Sequence, residues 1–258
     1  MNTAILASHG TDSEPGAAAI AALVVSVAAS LPEWQVAEAF IDVQQPDVPT
    51  VLATFSSETV TVAPLLLATG YHVRKDLAEA ATEAQSGGTE VRIVPALGPD
   101  ERLAELLVQR LAEAGANLES NTTDIIVLAV AGSSDPAAQQ QSLLVQAMLE
   151  QKLGLEVQLA YLSAAEPRLK DLVPKLKFQN PRRRVVLATY LLADGYFVGL
   201  TQRSGAHIVA RPLLAPELPV PKQLVDVVIA RLNGPELGCL KSAGAGWSCP
   251  AGCAKPCG

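Results

Sequence analysis

Pro64-Leu-Leu-Leu-Ala-Thr-Gly-Tyr-His72 and Thr189-Tyr-Leu-Leu-Ala-Asp-Gly-Tyr-Phe197 are nearly one phrase, set 125 residues apart. Each is an apolar run broken by a Gly-Tyr pair, the reading for a buried strand that ends in a turn and feeds a helix. Working outward, Ile126-Val-Leu-Ala-Val-Ala-Gly132 repeats Ala4-Ile-Leu-Ala-Ser-His-Gly10. Val157-Gln-Leu-Ala-Tyr-Leu-Ser163 repeats Val36-Ala-Glu-Ala-Phe-Ile-Asp42, with Pro46 answered by Pro167. The offsets, 122, 121 and 125 residues, are constant enough to read as an internal duplication.

The repeated unit alternates short β-rich apolar runs with Ala/Leu-rich amphipathic stretches, which reads as an α/β fold with four parallel strands per copy. In the first copy strands are expected near Thr3 to Ser8, Gln35 to Asp42, Val60 to Ala68 and Glu90 to Pro95. Helices are expected to open at Glu14-Pro15, to cover Pro46 to Ser57 and Tyr71 to Gln85, and to restart at Pro99-Asp100. The polar stretch Asn117 to Thr123 reads as a linker. Residues 1–118 and 119–233 are then two lobes. Residues 234–258, rich in Gly, Ala, Ser, Pro and Cys, lack the apolar periodicity to order themselves and read as a tail.

Composition excludes several classes. With 49% hydrophobic and 17% charged residues the chain is globular rather than disordered, and a formal net charge of −7 lacks the basic footprint of a nucleic-acid surface. The apolar stretch Ala17 to Leu31 falls short of the roughly 20 residues of a membrane span, and no Lys or Arg precedes it as in a signal peptide. A soluble, cytoplasmic protein is expected. Cys239, Cys249, Cys253 and Cys257 all fall in the tail, so the body is expected to fold without disulfides.

Where the copies differ is where chemistry is expected. His9 faces Ala131, Asp42 faces Ser163 and His72 faces Phe197. All three fall at carboxyl ends of expected strands, the edge where open α/β sheets bind ligands. A strand order placing the first strand between the second and third would bring them over one crevice. Two imidazoles and a carboxylate suit Fe(II), Co(II), Ni(II) or Zn(II), and three ligands leave coordination positions open for a metal in transit. His207, before a strand, reads as structural.

Leu6-Ala-Ser-His-Gly10, Ala39-Phe-Ile-Asp-Val43 and Pro64-Leu-Leu-Leu-Ala-Thr-Gly-Tyr-His-Val-Arg-Lys-Asp76 resemble the sirohydrochlorin chelatases of the CbiX and SirB kind, over roughly residues 3 to 232. The resemblance implies two chelatase-like, flavodoxin-like three-layer lobes with a tetrapyrrole between them, here fused in one chain and active as a monomer. It implies that His9 and His72 bind the metal and carry catalysis. The family commonly has Glu as the acidic ligand after the second strand, where this chain has the shorter Asp42. The implied reaction inserts a divalent ion, Co2+, Fe2+ or Ni2+, into sirohydrochlorin on the way to cobalamin or sirohaem, with the metal as substrate and no prosthetic group.

A substrate rimmed by carboxylates needs donors. Ser8, Gly10, Thr11 and Ser13 precede the first helix, Arg74 and Lys75 begin the third, and Arg203 is the nearest cation in the matching helix of the second copy. Arg182, Arg183 and Arg184 precede a strand and read as keeping its end soluble. The tail spacing C-x9-C-x3-C-x3-C matches neither a zinc ribbon nor a ferredoxin, yet mobile thiols can capture a soft metal. Two rivals use the same residues. A histidine phosphatase would need an Arg where Ser8 stands, and a metal or tetrapyrrole carrier would bind without turnover.

Overall fold

The computed structural model describes residues 2–55, 59–68 and 70–234, with Tyr71 and His72 as backbone only. Its elements run β1 (Asn2–Ser8), α1 (Glu14–Ser30), β2 (Trp34–Phe40), α2 (Val48–Leu52), β3 (Thr59–Pro64), α3 (Tyr71–Ser86), β4 (Glu90–Ile93) and α4 (Glu101–Glu113). The same succession returns as β5 (Ile125–Val130), α5 (Pro136–Leu153), β6 (Val157–Tyr161), α6 (Leu169–Gln179), β7 (Val185–Tyr190), α7 (Tyr196–Gln202), β8 (Ile208–Val209) and α8 (Lys222–Leu232). The strands form two parallel sheets, ordered β2-β1-β3-β4 and β6-β5-β7-β8. The expected order, with the first strand between the second and third, is the observed one in both.

Strand alternation builds three cores from two sheets. Ala4 and Leu6 of β1 point one way and Ile5 and Ala7 the other, all fully buried. In β5, Ile126, Leu128 and Val130 oppose Ile125, Val127 and Ala129. Ile5 and Ala7 join α2 and α3 in an outer core, and the odd-numbered side of β5 joins α6 in another. The remaining faces of both sheets close over α1, α4, α5 and α8 in a single central core.

The two lobes exchange their fourth helices. α4 follows the first sheet in sequence yet packs on α5 and β7, whereas α8, its counterpart, packs on α1 and β3. Leu103, Leu106, Leu107 and Leu111 of α4 are completely buried in the shared core. At about 1.5–3 kcal/mol for each buried leucine, α4 alone ties the halves together by an amount comparable to a domain's net stability.

Two arginines complete the exchange. Arg110 of α4, 2% exposed, donates to the Leu213 carbonyl at 2.8 Å and pairs with Glu113 at 2.7 Å. Arg231 of α8 donates to the carbonyls of Ala96 and Leu97 at 2.8 and 2.7 Å.

Some boundaries differ from the reading above. The helix expected over Pro46 to Ser57 is a single short turn, because Asp47 caps it by accepting from the Thr50 N–H at 2.9 Å and it ends by Leu52. β3 stops at Pro64, which has no N–H to continue the ladder. β2 ends at Phe40, although Ile41 and Asp42 still donate to Ser8 and His9 carbonyls. Among the described residues no helix is long and apolar enough to cross a membrane.

Candidate functional site

The segments that follow β1 and β3 meet those that follow β7 and β5 across the lobe boundary, through Ser13 to Asp194 and Arg74 to Asp135. β1 runs out of the buried Ser8 into the exposed His9, and Gly10 turns with φ 89°. On the neighbouring strand end, the Asp42 N–H donates to the His9 carbonyl at 3.2 Å, so the exposed His9 and Asp42 leave adjacent points of one sheet edge. β3, on the other side of β1, leads through Gly70 into α3, whose second residue is His72. The side chain of His72 lies outside the described residues, as do Cys239, Cys249, Cys253 and Cys257. Among the described side chains no three His, Cys, Asp or Glu form a metal-binding group. The structure thus puts His9 and Asp42 at the adjacent ends of β1 and β2, and starts α3, which carries His72, after the strand on the other side of β1.

The loop after β1 is tightly held. Thr11 N–H donates to Gln44 Oε1 at 2.9 Å, and Thr11 Oγ1 accepts from Ser13 N–H at 3.1 Å. The Ser13 hydroxyl caps α1 by accepting from Gly16 N–H at 3.2 Å and donates to Asp194 Oδ2 in the second lobe at 3.0 Å. Ser8 is 4% exposed, and its carbonyl receives the Ile41 N–H. Of the expected cations, Arg74 is paired with Asp135 of the second lobe at 2.7 Å. Lys75 is exposed, 3.5 Å from Glu79. Arg203 caps the end of α7 and folds its guanidinium back over Gly199, where a Cβ would meet Nη1 at 3.1 Å.

Residues set aside on sequence have defined work. His207 Nδ1 accepts from Val185 N–H at 2.9 Å, joining the ends of β7 and β8. Arg184, expected only to keep a strand end soluble, grips Asp124 through Nε and Nη2 at 2.8 and 2.7 Å, and Arg183 donates to the Thr123 carbonyl. The run is a clamp on the entry to β5, because Asp124 is buried and needs a counter-charge. Arg182 is exposed.

Three residues at this edge escaped the sequence reading. Asp135 and Asp194 cross the lobe boundary, and Tyr196, 74% exposed at the start of α7, packs edge-to-face on Phe197. Asp135 before Pro136 carried a helix-cap signal, and Asp194-Gly-Tyr196 sits inside the repeated phrase, but neither signal reveals a partner in the other lobe. A separate cavity of about 560 Å3, lined by Asn2, Thr3, Trp34, Gln35, Thr59, Thr61 and Arg92, lies at the opposite edge of the first sheet.

Comparison with known proteins places this edge in context. The CbiX family model matches residues 3–114 and 125–215, one match for each half. A sirohydrochlorin ferrochelatase of Priestia megaterium is 30% identical over 139 residues, 53% of this chain and 51% of its own length. A sirohydrochlorin cobaltochelatase of Sulfurisphaera tokodaii is 35% identical over 77 residues, 29% of this chain and 62% of its own. The chain thus spans about half to two thirds of these relatives. Among solved structures, SirB from Bacillus subtilis with Fe3+ superposes with a TM-score of 0.74 at 21% identity, covering 90% of this chain and 96% of that one. A CbiX described as the terminal enzyme for biosynthesis of sirohaem in denitrifying bacteria gives 0.65 at 23% identity, covering 90% and 100%. These two likenesses establish the shared fold.

Proposed function

We propose, from the premise that this chain belongs to the CbiX family, that it is a chelatase inserting Co2+ or Fe2+ into sirohydrochlorin. The observation that carries the reading is the meeting of His9 and Asp42 at adjacent strand ends, with α3 beginning at Tyr71-His72 on the other side of β1, in one lobe only. His9, Asp42 and His72 are the proposed ligands of the incoming ion, which is a substrate that must leave again. Nitrogen and carboxylate donors suit Ni2+ as well as Co2+ and Fe2+, so selection among them falls to supply.

The chemistry follows from the donors. Metallation removes two pyrrole protons while the ion exchanges protein ligands for macrocycle nitrogens. An imidazole is neutral while it holds the ion and becomes a base near neutral pH once it lets go, so His9 and His72 can each receive a proton as they release the metal. Asp42 offsets the ion's charge or orients an imidazole. Substrate carboxylates would be met by Lys75 and Arg203, and the flat macrocycle by the exposed ring of Tyr196.

The tail is proposed to capture metal through Cys249, Cys253 and Cys257. α8 ends at the far edge of the first sheet, where Arg92 donates to the carbonyls of Leu232 and Gly234. Cys239, five residues past Gly234, reaches roughly 18 Å at most, less than the roughly 20 Å length of β1, whereas the other three begin fifteen residues past it.

The test is an anaerobic absorbance assay of sirohydrochlorin with Co2+, Fe2+ and Ni2+ in turn. The expected result is metallated product above the protein-free rate with at least one ion. Stoichiometric binding of ion or macrocycle without product would overturn the enzyme reading in favour of a carrier.

A further inference from the structure

The second lobe has none of the three proposed ligands, yet beside the segments that carry His9 and His72 it reaches into the first through two carboxylates. Asp194 follows β7 and accepts from the Ser13 hydroxyl at 3.0 Å. Its main-chain oxygen lies against Gly16, where a Cβ would collide with it, and the neighbouring Gly195 sits against Thr11 Oγ1. The segment so held, Thr11 to Gly16, begins two residues after His9. Asp135 follows β5, caps α5 by accepting from Ala137 N–H at 2.9 Å through Oδ1, and accepts from Arg74 Nη2 at 2.7 Å through Oδ2. Arg74 lies in the first turn of α3, two residues after His72. Each histidine-bearing segment of the first lobe therefore has its own carboxylate support in the second. In the repeat register position 135 answers Ser13 and position 194 answers Thr69, so neither carboxylate has an acidic counterpart in the first lobe.

We infer that Asp135 and Asp194 are positioning residues, through which the ligand-free lobe sets the separation of the two imidazoles presented by the other. The inference rests on the functional reading above, which makes His9 and His72 ligands of one ion. Physically, His9 stands on an irregular loop and His72 on the first turn of a helix, places where local stability is lowest and a metal site loses precision unless a second layer holds it. A charge-assisted bond from Arg74 and a hydroxyl bond from Ser13, both to groups anchored on the other sheet, supply that layer. Gly16 serves the same end, since the close approach of Asp194 to α1 needs a residue without a side chain.

The experiment uses the full chain with Asp135→Asn, Asp194→Asn, Ser13→Ala and Ser13→Thr, and Asp124→Asn as a second-lobe ion pair remote from this edge. Co2+ affinity is read by calorimetry and by the visible spectrum of the bound ion, and kcat and KM by metal insertion. The expected result is about tenfold weaker Co2+ binding with an altered spectrum for Asp135→Asn, and a somewhat smaller loss for Asp194→Asn and Ser13→Ala. Ser13→Thr, which keeps the hydroxyl, stays near wild type, and KM for sirohydrochlorin moves less than twofold in all of them. Asp124→Asn lowers thermal stability without changing Co2+ affinity. Should the two carboxylate variants melt earlier yet bind Co2+ as tightly as wild type with the same spectrum, they are struts only and the inference falls. A wild-type protein that binds Co2+ but metallates nothing overturns the chelatase reading and leaves the positioning result standing. One that binds no Co2+ overturns both.

Discussion

The turn after β1 and the turn after β5 are the same backbone with different chemistry. Gly10 and Gly132 take φ 89° and 92°. Ile41 and Asp42 donate to the carbonyls of Ser8 and His9, and Leu162 and Ser163 donate to those of Val130 and Ala131. Phe40 and Tyr161 donate to Pro46 and Pro167 at 3.0 and 2.9 Å. The side chains depart, His9 against Ala131 and Asp42 against Ser163, and the backbone follows suit only just after Ser163, where Ala164 takes φ 55°. The hydrogen-bonded frame therefore belongs to the fold, and the imidazole and carboxylate belong to whatever this edge binds.

That distinction breaks most sharply on activity. His9→Ala and His72→Ala are each expected to lower the metal-insertion rate by about 100-fold or more, while Ala131→His leaves it unchanged, because the second edge lacks the accompanying ligands. The check is the anaerobic insertion rate at saturating metal, with circular dichroism to establish that the fold persists. Wild-type rates in both histidine variants would remove the chemical difference between the lobes.

A smaller effect sharpens the structural half of the comparison. Any side chain at Gly10 or Gly132 meets left-handed backbone strain of about 1–2 kcal/mol. At Gly132 the added Cβ would also run into the Ser163 carbonyl oxygen, whereas at Gly10 it meets Val43 Cβ and Gln44 N at 3.1 Å, a contact that relaxes more readily. Gly132→Ala is expected to destabilise the protein by about 2 kcal/mol more than Gly10→Ala in denaturant titration. Equal losses would mean that the two turns do not differ in packing as described.

How much of this was legible follows from which signals are local. Strand alternation and the duplicated phrase are properties of short stretches, and they yielded the two sheets and the edge holding His9 and Asp42, while the strand order is the common one for such sheets. The exchange of α4 and α8 was not legible, because Leu103, Leu106, Leu107 and Leu111 present the same apolar stripe whichever sheet they cover. Nor were the partners of Asp194 and Asp135, since a carboxylate before a helix reads as a cap whether or not it also grips another lobe. Arg184 was misread for the same reason: a basic run before a strand looks like a solvated edge until the buried Asp124 is seen beside it.

That clamp gives the last contrast between the lobes. Asp124 begins the second copy where the first has the exposed Asn2, and among the described residues only the second copy closes its entry strand with an ion pair. Burial alone would push the Asp124 carboxyl up, but the Arg184 guanidinium and the Asn117 N–H, the latter at 2.8 Å, more than reverse this and hold it below the usual carboxylate range. A carboxyl so lowered stabilises the fold at every pH above its unfolded value, near pH 4, and that contribution disappears as pH falls through its folded value. Asp124→Asn is therefore expected to lose about 1–2 kcal/mol at pH 7 and to show a shallower fall in stability than wild type as pH drops below about 4. Denaturant titrations from pH 7 down to pH 2.5 check it. Parallel acid limbs for the two proteins would mean that Asp124 titrates alike in the folded and unfolded chains, and the clamp would then contribute packing but no pH dependence.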